Sequence, residues 1–584
     1  MWRAYLDGRS GLVHAPTGMG KTLSVAVAPV LEELARREAG AARKRERGLK
    51  VLWLTPLRAL ANDTAQSLVD AVEGLGLNWS VELRTGDTAQ SVKKKQRIEG
   101  LPNVLVTTPE SLSVLLSYED MVAARPGEGA AAPLGGVRAV VVDEWHELIG
   151  TKRGVQTELG LARLRGLNPG GGMRTWGLSA TLGNLDQAME VLLGAGAPGG
   201  VLVRGLGRRR YSFSTVIPPD IERFPWSGHL GIRLLPQVCE AIDAARSTLL
   251  FTNTRSQSEI WFSALLRARD EYMGKVAIHH GSLDRKIRAR VEEAVQAGEL
   301  RCVVCTSSLD LGVDFAPVDQ VVQVGSPKGI ARFLQRAGRS GHQPGGVSKI
   351  VCVPTHALEL VEFAAARDAI GAETGPVDVE TRPPLSLAMD VLVQHMLTVA
   401  VGGGFIEDAL RAEVRTTHAF KDLSDRQWRW TMDYISRGGP ALTAYQHYAR
   451  VVQDVPGPGG RWRMTAPVMV RNHRLSIGTI TSDASITVKL TSGKVLGSVE
   501  ESFIGRMAPG DVFAFSGRVL ELVRVRDMAA VVRPAKRKSG NIPSWQGSRM
   551  ALSTHLADAV RVRLGEAHRG KFRGPEMEAV APIL

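Results

Sequence analysis

The sequence predicts an α/β chain with two parallel-sheet domains in tandem, then a helical segment, then a strand-rich one. Three observations carry this. Short apolar runs alternate with helix-period segments over about the first 200 residues. The same rhythm restarts near Thr248, and it stops near residue 376, where Arg382-Pro383-Pro384 punctuates the chain. Alternating strand and helix patterns are the mark of a parallel sheet covered by helices.

The elements follow in order. Gly11–His14, Val51–Leu54, Val104–Val106 and Val137–Val142 read as strands of the first domain. Thr248–Phe251, Val276–His279, Cys302–Thr306, Val321–Val324 and Ile350–Val353 read as strands of the second. Each run is short and apolar and is followed by polar residues. The join is expected near Arg208-Arg209-Arg210. Arg36–Lys50 and Ala123–Gly136 read as surface loops. From about residue 376 to Arg450 the pattern is mostly helical. Val455-Pro456-Gly457-Pro458-Gly459-Gly460 reads as a linker. Beyond it, Ser485–Leu490 alternates like an antiparallel strand, and Lys536-Arg537-Lys538 reads as an exposed basic loop.

Bulk properties narrow the class. A chain of 584 residues holds roughly three to five domains at about 100–200 residues each. The net charge of +14 favours polyanions, of which nucleic acid is the commonest; the bland alternative is a genome that writes Arg wherever a cation will do. Cys239, Cys302, Cys305 and Cys352 make no disulfide framework. The lone Cys302-Val303-Val304-Cys305 pair lies in a buried-strand pattern and reads as core rather than zinc site. No apolar run reaches the roughly 18 residues of a membrane span, and the N-terminus has no signal-peptide core, so a cytoplasmic protein is expected.

Two motifs carry chemistry. Ala15-Pro16-Thr17-Gly18-Met19-Gly20-Lys21-Thr22 follows a strand and precedes a helix. Backbone N–H groups of such a loop cradle phosphates. Lys21 reaches the β- and γ-phosphates, and the Thr22 hydroxyl holds Mg²⁺. About 120 residues on, Val140-Val141-Val142-Asp143-Glu144-Trp145-His146 delivers two carboxylates at a strand end. Asp143 is expected to hold the Mg²⁺ shell and Glu144 to act as general base on the attacking water. The bland alternatives are a chance match and an Asp-Glu helix start.

With these motifs the chain resembles a superfamily 2 helicase. Thr55–Leu60 with Arg58, and Thr107–Ser111 with Thr108, resemble motifs that hold nucleic-acid phosphates. Ser179-Ala180-Thr181 resembles the motif linking hydrolysis to movement, a coupling role shared by His146. In the second domain Phe251–Arg255, with Thr252 and Arg255, and His280–Leu283 resemble strand-gripping motifs. Thr306–Asp314, with Thr306, Gly312 and Asp314, resembles the fifth motif, and Gln335–His342 the sixth. There Arg339 is expected as arginine finger, Gln335 as γ-phosphate sensor and Arg336 as a nucleotide contact. His342 stands where many relatives have a third arginine, which leaves one finger rather than two.

The resemblance is finer than the superfamily. The Asp-Glu-Trp-His box, the sixth motif's ending and the segments after residue 376 are similar to the large helicase-related family, nearest its bacterial ligase-associated DEXH members. It implies RecA-like domains at 1–205 and 206–375, a winged-helix domain at 376–454 and an incomplete α+β or β-barrel-like C-terminal domain at 455–584. It also implies ATP and Mg²⁺ as cofactors, 3′-to-5′ movement on single-stranded DNA, unwinding of DNA or RNA:DNA duplexes in repair, nucleoid association, and DNA ligase and nuclease partners. Relatives begin earlier, with an adenine-contacting Gln, and continue past Leu584, so truncation at both ends is expected. Trp545, in Asn541–Gly547, is a candidate for stacking on an unpaired base, with core packing equally open. Trp428 and Trp430 are expected to pack inside the winged helix. The competing functions are a translocase or RNA helicase with little DNA unwinding, and a non-catalytic scaffold.

Overall fold

The computed structural model describes residues 1–16, 19–40, 48–123, 132–168, 170, 172–195, 197, 199–205, 210–219, 221, 231–310, 318–341, 346–371, 379–438, 449–457, 459–478, 485–537, 540–543, 545 and 551–584. The chain forms two units. One comprises Met1–Gly207 and Thr381–Ile480, the other Arg208–Glu380 and Thr481–Leu584.

The first unit is built on seven strands: β1 (Gly11–His14), β2 (Val51–Leu54), β3 (Val81–Arg84), β4 (Val104–Thr107), β5 (Ala139–Val142), β6 (Arg174–Ser179) and β7 (Val201–Arg204). They run parallel in the order β3-β4-β2-β5-β6-β1-β7. Every residue of β2, β4 and β5 is buried, which is why these strands read as unbroken apolar runs. The sequence reading missed β6, a central strand whose Arg, Thr, Gly and Ser break the apolar run, and also β3 and β7. β3 and β7 are edge strands, and β3 alternates Val and Leu with Glu and Arg over only four residues.

The second unit repeats the plan with β8 (Arg210–Thr215), β9 (Thr248–Phe251), β10 (Val276–His279), β11 (Cys302–Cys305), β12 (Gln320–Val324) and β13 (Val347–Val353). The order is β10-β11-β9-β12-β13-β8, again all parallel. All four cysteines are buried and unpaired, and Cys302 and Cys305 lie in the core strand β11. No metal-binding cluster occurs among the described residues. No described helix is long and apolar enough to cross a membrane.

A winged-helix domain completes the first unit. Its helices Met389–Val401, Glu407–Arg415 and Asp425–Arg437 are followed by a hairpin of β14 (Val452–Gln453) and β15 (Trp462–Arg463) and by helix Pro467–Ser476. The Pro/Gly run expected to be a linker is the turn of this hairpin, closed by Asp454 N–H donating to the Arg461 carbonyl at 2.9 Å. Pro and Gly mark a change of chain direction, and the sequence alone does not say whether a domain ends there. Helix Lys152–Leu167 is buried on most sides because it serves two cores. Leu161 and Leu164 pack with the sheet domain, Val155 and Leu159 with Leu392, Phe405 and Trp428. Close approach requires Gly402, where a Cβ would fall 2.1 Å from the Leu116 carbonyl oxygen.

The second unit ends in a mixed five-stranded sheet of β16 (Ser485–Leu490), β17 (Val495–Glu500), β18 (Val512–Phe515), β19 (Arg518–Arg526) and β20 (Ala529–Pro534). The order β17-β16-β20-β19-β18 leaves the end strands unjoined, an open half-barrel. It is tied to the second sheet domain at Gly497, where a Cβ would meet the Ser282 carbonyl oxygen at 2.1 Å.

Candidate nucleotide and nucleic-acid sites

Three adjacent strands of the first sheet, β5, β6 and β1, end side by side. Their C-terminal ends carry Asp143-Glu144, Ser179 and the phosphate-loop motif, the position where open α/β sheets bind ligands. The Ala15 N–H donates to the Ser179 carbonyl at 3.1 Å, fixing the loop against β6. Gly20 takes a left-handed φ of 71° and caps helix Lys21–Glu38. Lys21 is buried, and its Nζ donates to the Ala15 carbonyl at 2.7 Å. Thr22 is half-buried in the first turn. Thr17 and Gly18 lie outside the described residues, as do Gly312, Asp314 and His342.

The carboxylate pair is held tightly. Asp143 accepts from Trp53 Nε1 at 3.3 Å and from the Glu144 N–H at 2.8 Å. Burial first, then the neighbouring Glu144, pushes the Asp143 carboxyl up to about 7. Such a group favours a cation beside it, which fits a divalent-ion ligand. Glu144 adopts a left-handed backbone, φ 43°, a conformation that costs a non-glycine residue of order 1–3 kcal/mol. That backbone keeps its side chain at the strand end. Its Oε2 is buried, accepts no hydrogen bond and lies 3.5 Å from His146 Nδ1. The same His146 nitrogen lies 3.4 Å from Ser179 Oγ. Burial lowers the His146 pKa, which favours the neutral ring, and its Nδ1 stands within reach of both Glu144 and Ser179. Thr181, two residues beyond Ser179, is buried.

The second sheet domain uses its motif residues differently. Arg336 is 1% exposed. Its Nε donates to Asp310 Oδ1 at 2.8 Å, a terminal nitrogen donates to Gln323 Oε1 at 2.8 Å, and the guanidinium lies 4.9 Å from the Phe251 ring centre. The residue expected to touch nucleotide is thus held by side chains of its own domain. Gln335 and Arg339 are buried on the same segment, Arg339 just past the helix Ile330–Ala337. Thr252 is fully buried, its hydroxyl 2.7 Å from Ser258 Oγ. In place of the expected strand grip it braces the start of helix Arg255–Ala268, where Arg255 is exposed. Thr306 is buried at the end of β11, its N–H donating to the His279 carbonyl at 3.3 Å.

Trp545 is half-buried, edge-on to His280 with centroids 5.8 Å apart and 6.3 Å from Phe515. These contacts pack part of the ring, and its Nε1 has no hydrogen-bond partner among the described residues. His280 Nε2 lies 3.2 Å from Glu259, which also accepts the Ser516 N–H at 2.7 Å. The His280–Leu283 motif is therefore wired to the half-barrel.

A groove of about 870 Å³ runs through the first unit. One wall carries Arg58, Lys93, Lys94, Arg97 and Thr108, the other Arg471 and Arg474 of helix Pro467–Ser476. Arg58 pairs with Asp87 at 2.9 Å. Thr108 caps helix Pro109–Leu116. Arg474 donates to the Ser117 carbonyl at 2.7 Å and lies over the Tyr118 ring at 4.1 Å. Among the described lining residues Glu110 is the one carboxylate, and Arg153 holds it at 2.5 Å. The groove is thus a cationic channel at the expected phosphate-holding motifs.

Family models match three stretches of the chain. These are the DEAD/DEAH box helicase domain over residues 1–188, the helicase conserved C-terminal domain over 232–343, and the winged helix domain of large helicase-related protein over 375–542. The chain belongs to the large helicase-related family of superfamily 2. It is 33% identical to the ATP-dependent helicase Lhr-Core of Methanothermobacter thermautotrophicus, over 99% of this chain and 66% of the relative. It is 32% identical to Lhr-Core protein 2 of Thermococcus barophilus, over 95% and 64%. The chain thus spans slightly less than two thirds of these relatives. The structure of Mycobacterium smegmatis helicase Lhr bound to single-stranded DNA and AMP-PNP matches all of this chain and 70% of that one, with TM-score 0.71 and 28% identity.

Within this family frame, sequence reading missed the groove's second wall. Arg471 and Arg474 lie in a segment first assigned to the C-terminal domain. Their spacing of three residues, which puts both on one face of a helix, was the available signal for a basic helix face. Trp430 also departs from expectation. Trp428 is 1% exposed and packs in the winged helix, but Trp430 is 53% exposed.

Proposed function

We propose that this chain is an ATP-driven motor that moves 3′ to 5′ along single-stranded DNA and unwinds DNA or RNA:DNA duplexes during repair. The observation that carries the reading is the convergence of Lys21, Asp143, Glu144 and His146 at three adjacent strand ends. The buried, unbonded Glu144 Oε2 is oriented to accept a proton from water. Lys21 holds the β- and γ-phosphates of ATP, with Gly20 allowing the turn that brings backbone N–H groups to them. Thr22 and Asp143 are the residues that would hold Mg²⁺, which when bound neutralises phosphate charge. Gln335 and Arg339 act on the γ-phosphate from the second sheet domain, and Ser179, Thr181 and His146 pass its loss to the strand grip.

The basic groove supports single-stranded nucleic acid as the track. Phosphate contacts hold a strand without reading its bases. The relatives' names support ATP-dependent helicase activity, and the solved Lhr complex supports DNA and an adenine nucleotide as ligands. Direction, duplex type and the link to DNA ligase and nuclease partners rest on the family resemblance. The test is ATP hydrolysis with single-stranded DNA, single-stranded RNA and no nucleic acid, followed by strand displacement with labelled duplexes. DNA-stimulated hydrolysis with displacement supports the reading. Stimulation by RNA alone makes the protein an RNA helicase, stimulation without displacement makes it a translocase, and absence of hydrolysis makes it a scaffold.

A further inference from the structure

Helix Pro467–Ser476 separates the basic groove from a second hollow. It presents Arg471 and Arg474 to the groove, and His473 and Ser476 to a space of about 400 Å³ on its other face. Across that space stand Trp430 and Tyr434, one helical turn apart on helix Asp425–Arg437. Their rings stack at 5.6 Å between centres and 15° between planes. Val393 and Leu397 supply apolar surface, Arg450 is an exposed cation on the lining, and the Asp390 carboxylate there is paired with Lys152 at 2.5 Å.

The exposure of Trp430 is the unusual fact. Its neighbour Trp428 fills the domain core and donates from Nε1 to Glu407 at 3.1 Å, whereas Trp430 leaves 53% of its surface in water. Tyr434 fixes the plane of that indole, so an open aromatic face is held in one orientation at little further entropy cost. An oriented aromatic face, apolar surface and a single cation are the set that recognises one unpaired nucleobase with its phosphate. His473 keeps its Nε2 3.0 Å from Thr398 Oγ1, and burial depresses its pKa to about 4, so it brings no second charge.

We infer that Trp430 and Tyr434 form a base-stacking site for the same strand, reached after it crosses helix Pro467–Ser476. The inference rests on the reading of the basic groove as the nucleic-acid path. Continuity through the shared helix favours a nucleotide over an apolar protein side chain. A helix is about 10–12 Å across with its side chains, roughly three nucleotides at about 3.4 Å each. The site therefore acts only on strands that extend about that far beyond the groove.

The test is equilibrium binding of a fluorescent oligo(dT) length series at fixed salt to the whole chain and to Trp430→Ala, Trp430→Phe and Arg471→Ala. Trp430→Ala is expected to match wild type on short oligonucleotides and to bind longer ones roughly 5- to 150-fold more weakly, the equivalent of about 1–3 kcal/mol per stacked base. Trp430→Phe should keep most of that affinity. One abasic position in a long oligonucleotide should weaken wild type by the same factor and leave Trp430→Ala unchanged. Wild-type affinity of Trp430→Ala at every length overturns the inference, as does a loss independent of length and of the abasic position. Self-association that disappears in Trp430→Ala, with DNA binding unaltered, also overturns it and assigns the hollow to a second copy. Failure of the groove reading is separate: it would appear as wild-type affinity and salt dependence in Arg471→Ala.

Discussion

In the first sheet domain the side chains that the motifs single out gather where strands end; in the second, most are consumed within the fold. Glu144 keeps a buried oxygen without a hydrogen bond, on a backbone held at φ 43°. Arg336 spends its guanidinium on Asp310, Gln323 and the Phe251 face, and Thr252 spends its hydroxyl on Ser258. Glu144 on one side and Arg336 and Thr252 on the other thus use their polar groups in opposite ways, although His280 in the second domain also keeps a buried ring nitrogen without a hydrogen bond among the described residues. Unsatisfied polar groups and strained backbone mark sites of chemistry, because folding alone would remove both. Fully satisfied buried networks mark rigidity, here the stiffness a moving domain needs.

The largest expected effect tests whether the second domain contributes chemistry at all. Arg339→Ala should cut DNA-stimulated turnover by about 10³- to 10⁵-fold while ATP affinity changes far less. Turnover within tenfold of wild type would leave that domain with wiring only. Next, Glu144→Gln should bind ATP normally and hydrolyse it about 10²- to 10⁴-fold more slowly. Near-normal single-turnover rates would remove Glu144 as the base.

Arg336→Ala sharpens the contrast. It leaves the buried Asp310 carboxylate with only the longer 3.8 Å approach of Arg332 and should cost about 3 kcal/mol of folding stability, read by chemical denaturation. A variant as stable as wild type but without turnover would restore Arg336 to the nucleotide. Trp545→Ala should lose roughly 2 kcal/mol, about half the cost for a fully buried aromatic, with hydrolysis and unwinding falling together. A stable variant that hydrolyses ATP but cannot unwind would make the ring a base-stacking surface instead.

Much of this was legible in sequence, and the limits have physical causes. β2 and β9 were read with their observed ends because a buried parallel strand is an unbroken apolar run. The phosphate loop and Asp143-Glu144 were legible because their chemistry demands particular residues at strand ends. β3 was not, since an edge strand need not be apolar. The fate of Arg336 was not, because a motif records which residue is needed and not what it touches. The second wall of the groove was not, because Arg471 and Arg474 meet Lys93 and Arg97 only after the chain returns from the second unit. Trp430 was misread because two tryptophans two residues apart on a helix point about 200° apart, so only one can face the core.

Glu158 offers the smallest test and the one in which the sign is most informative. It sits on helix Lys152–Leu167, 4% exposed, and accepts the Ala419 N–H at 2.9 Å, so it joins the first sheet domain to the winged helix. Burial raises its carboxyl to about 8, against the lowering effect of the two backbone donors at residues 418 and 419. Below about pH 4.5 the group is protonated in folded and unfolded chains alike, and its charge costs nothing. Between about 4.5 and 8 the unfolded chain releases the proton while the folded one keeps it, so the folded state loses stability as pH rises. Above 8 the full cost of a buried carboxylate is present. Glu158→Gln removes this slope. Its Tm should exceed that of wild type at pH 8, by stability on the order of 1–3 kcal/mol, and the gap should close toward pH 5. The gain stays below the full shift because a Gln amide offers one acceptor oxygen to two backbone donors. If the gap is constant with pH, Glu158 is ionised in the folded protein. Its carboxylate is then held by the two backbone donors without the cost of burial, unlike Asp143, whose carboxyl burial pushes up to about 7.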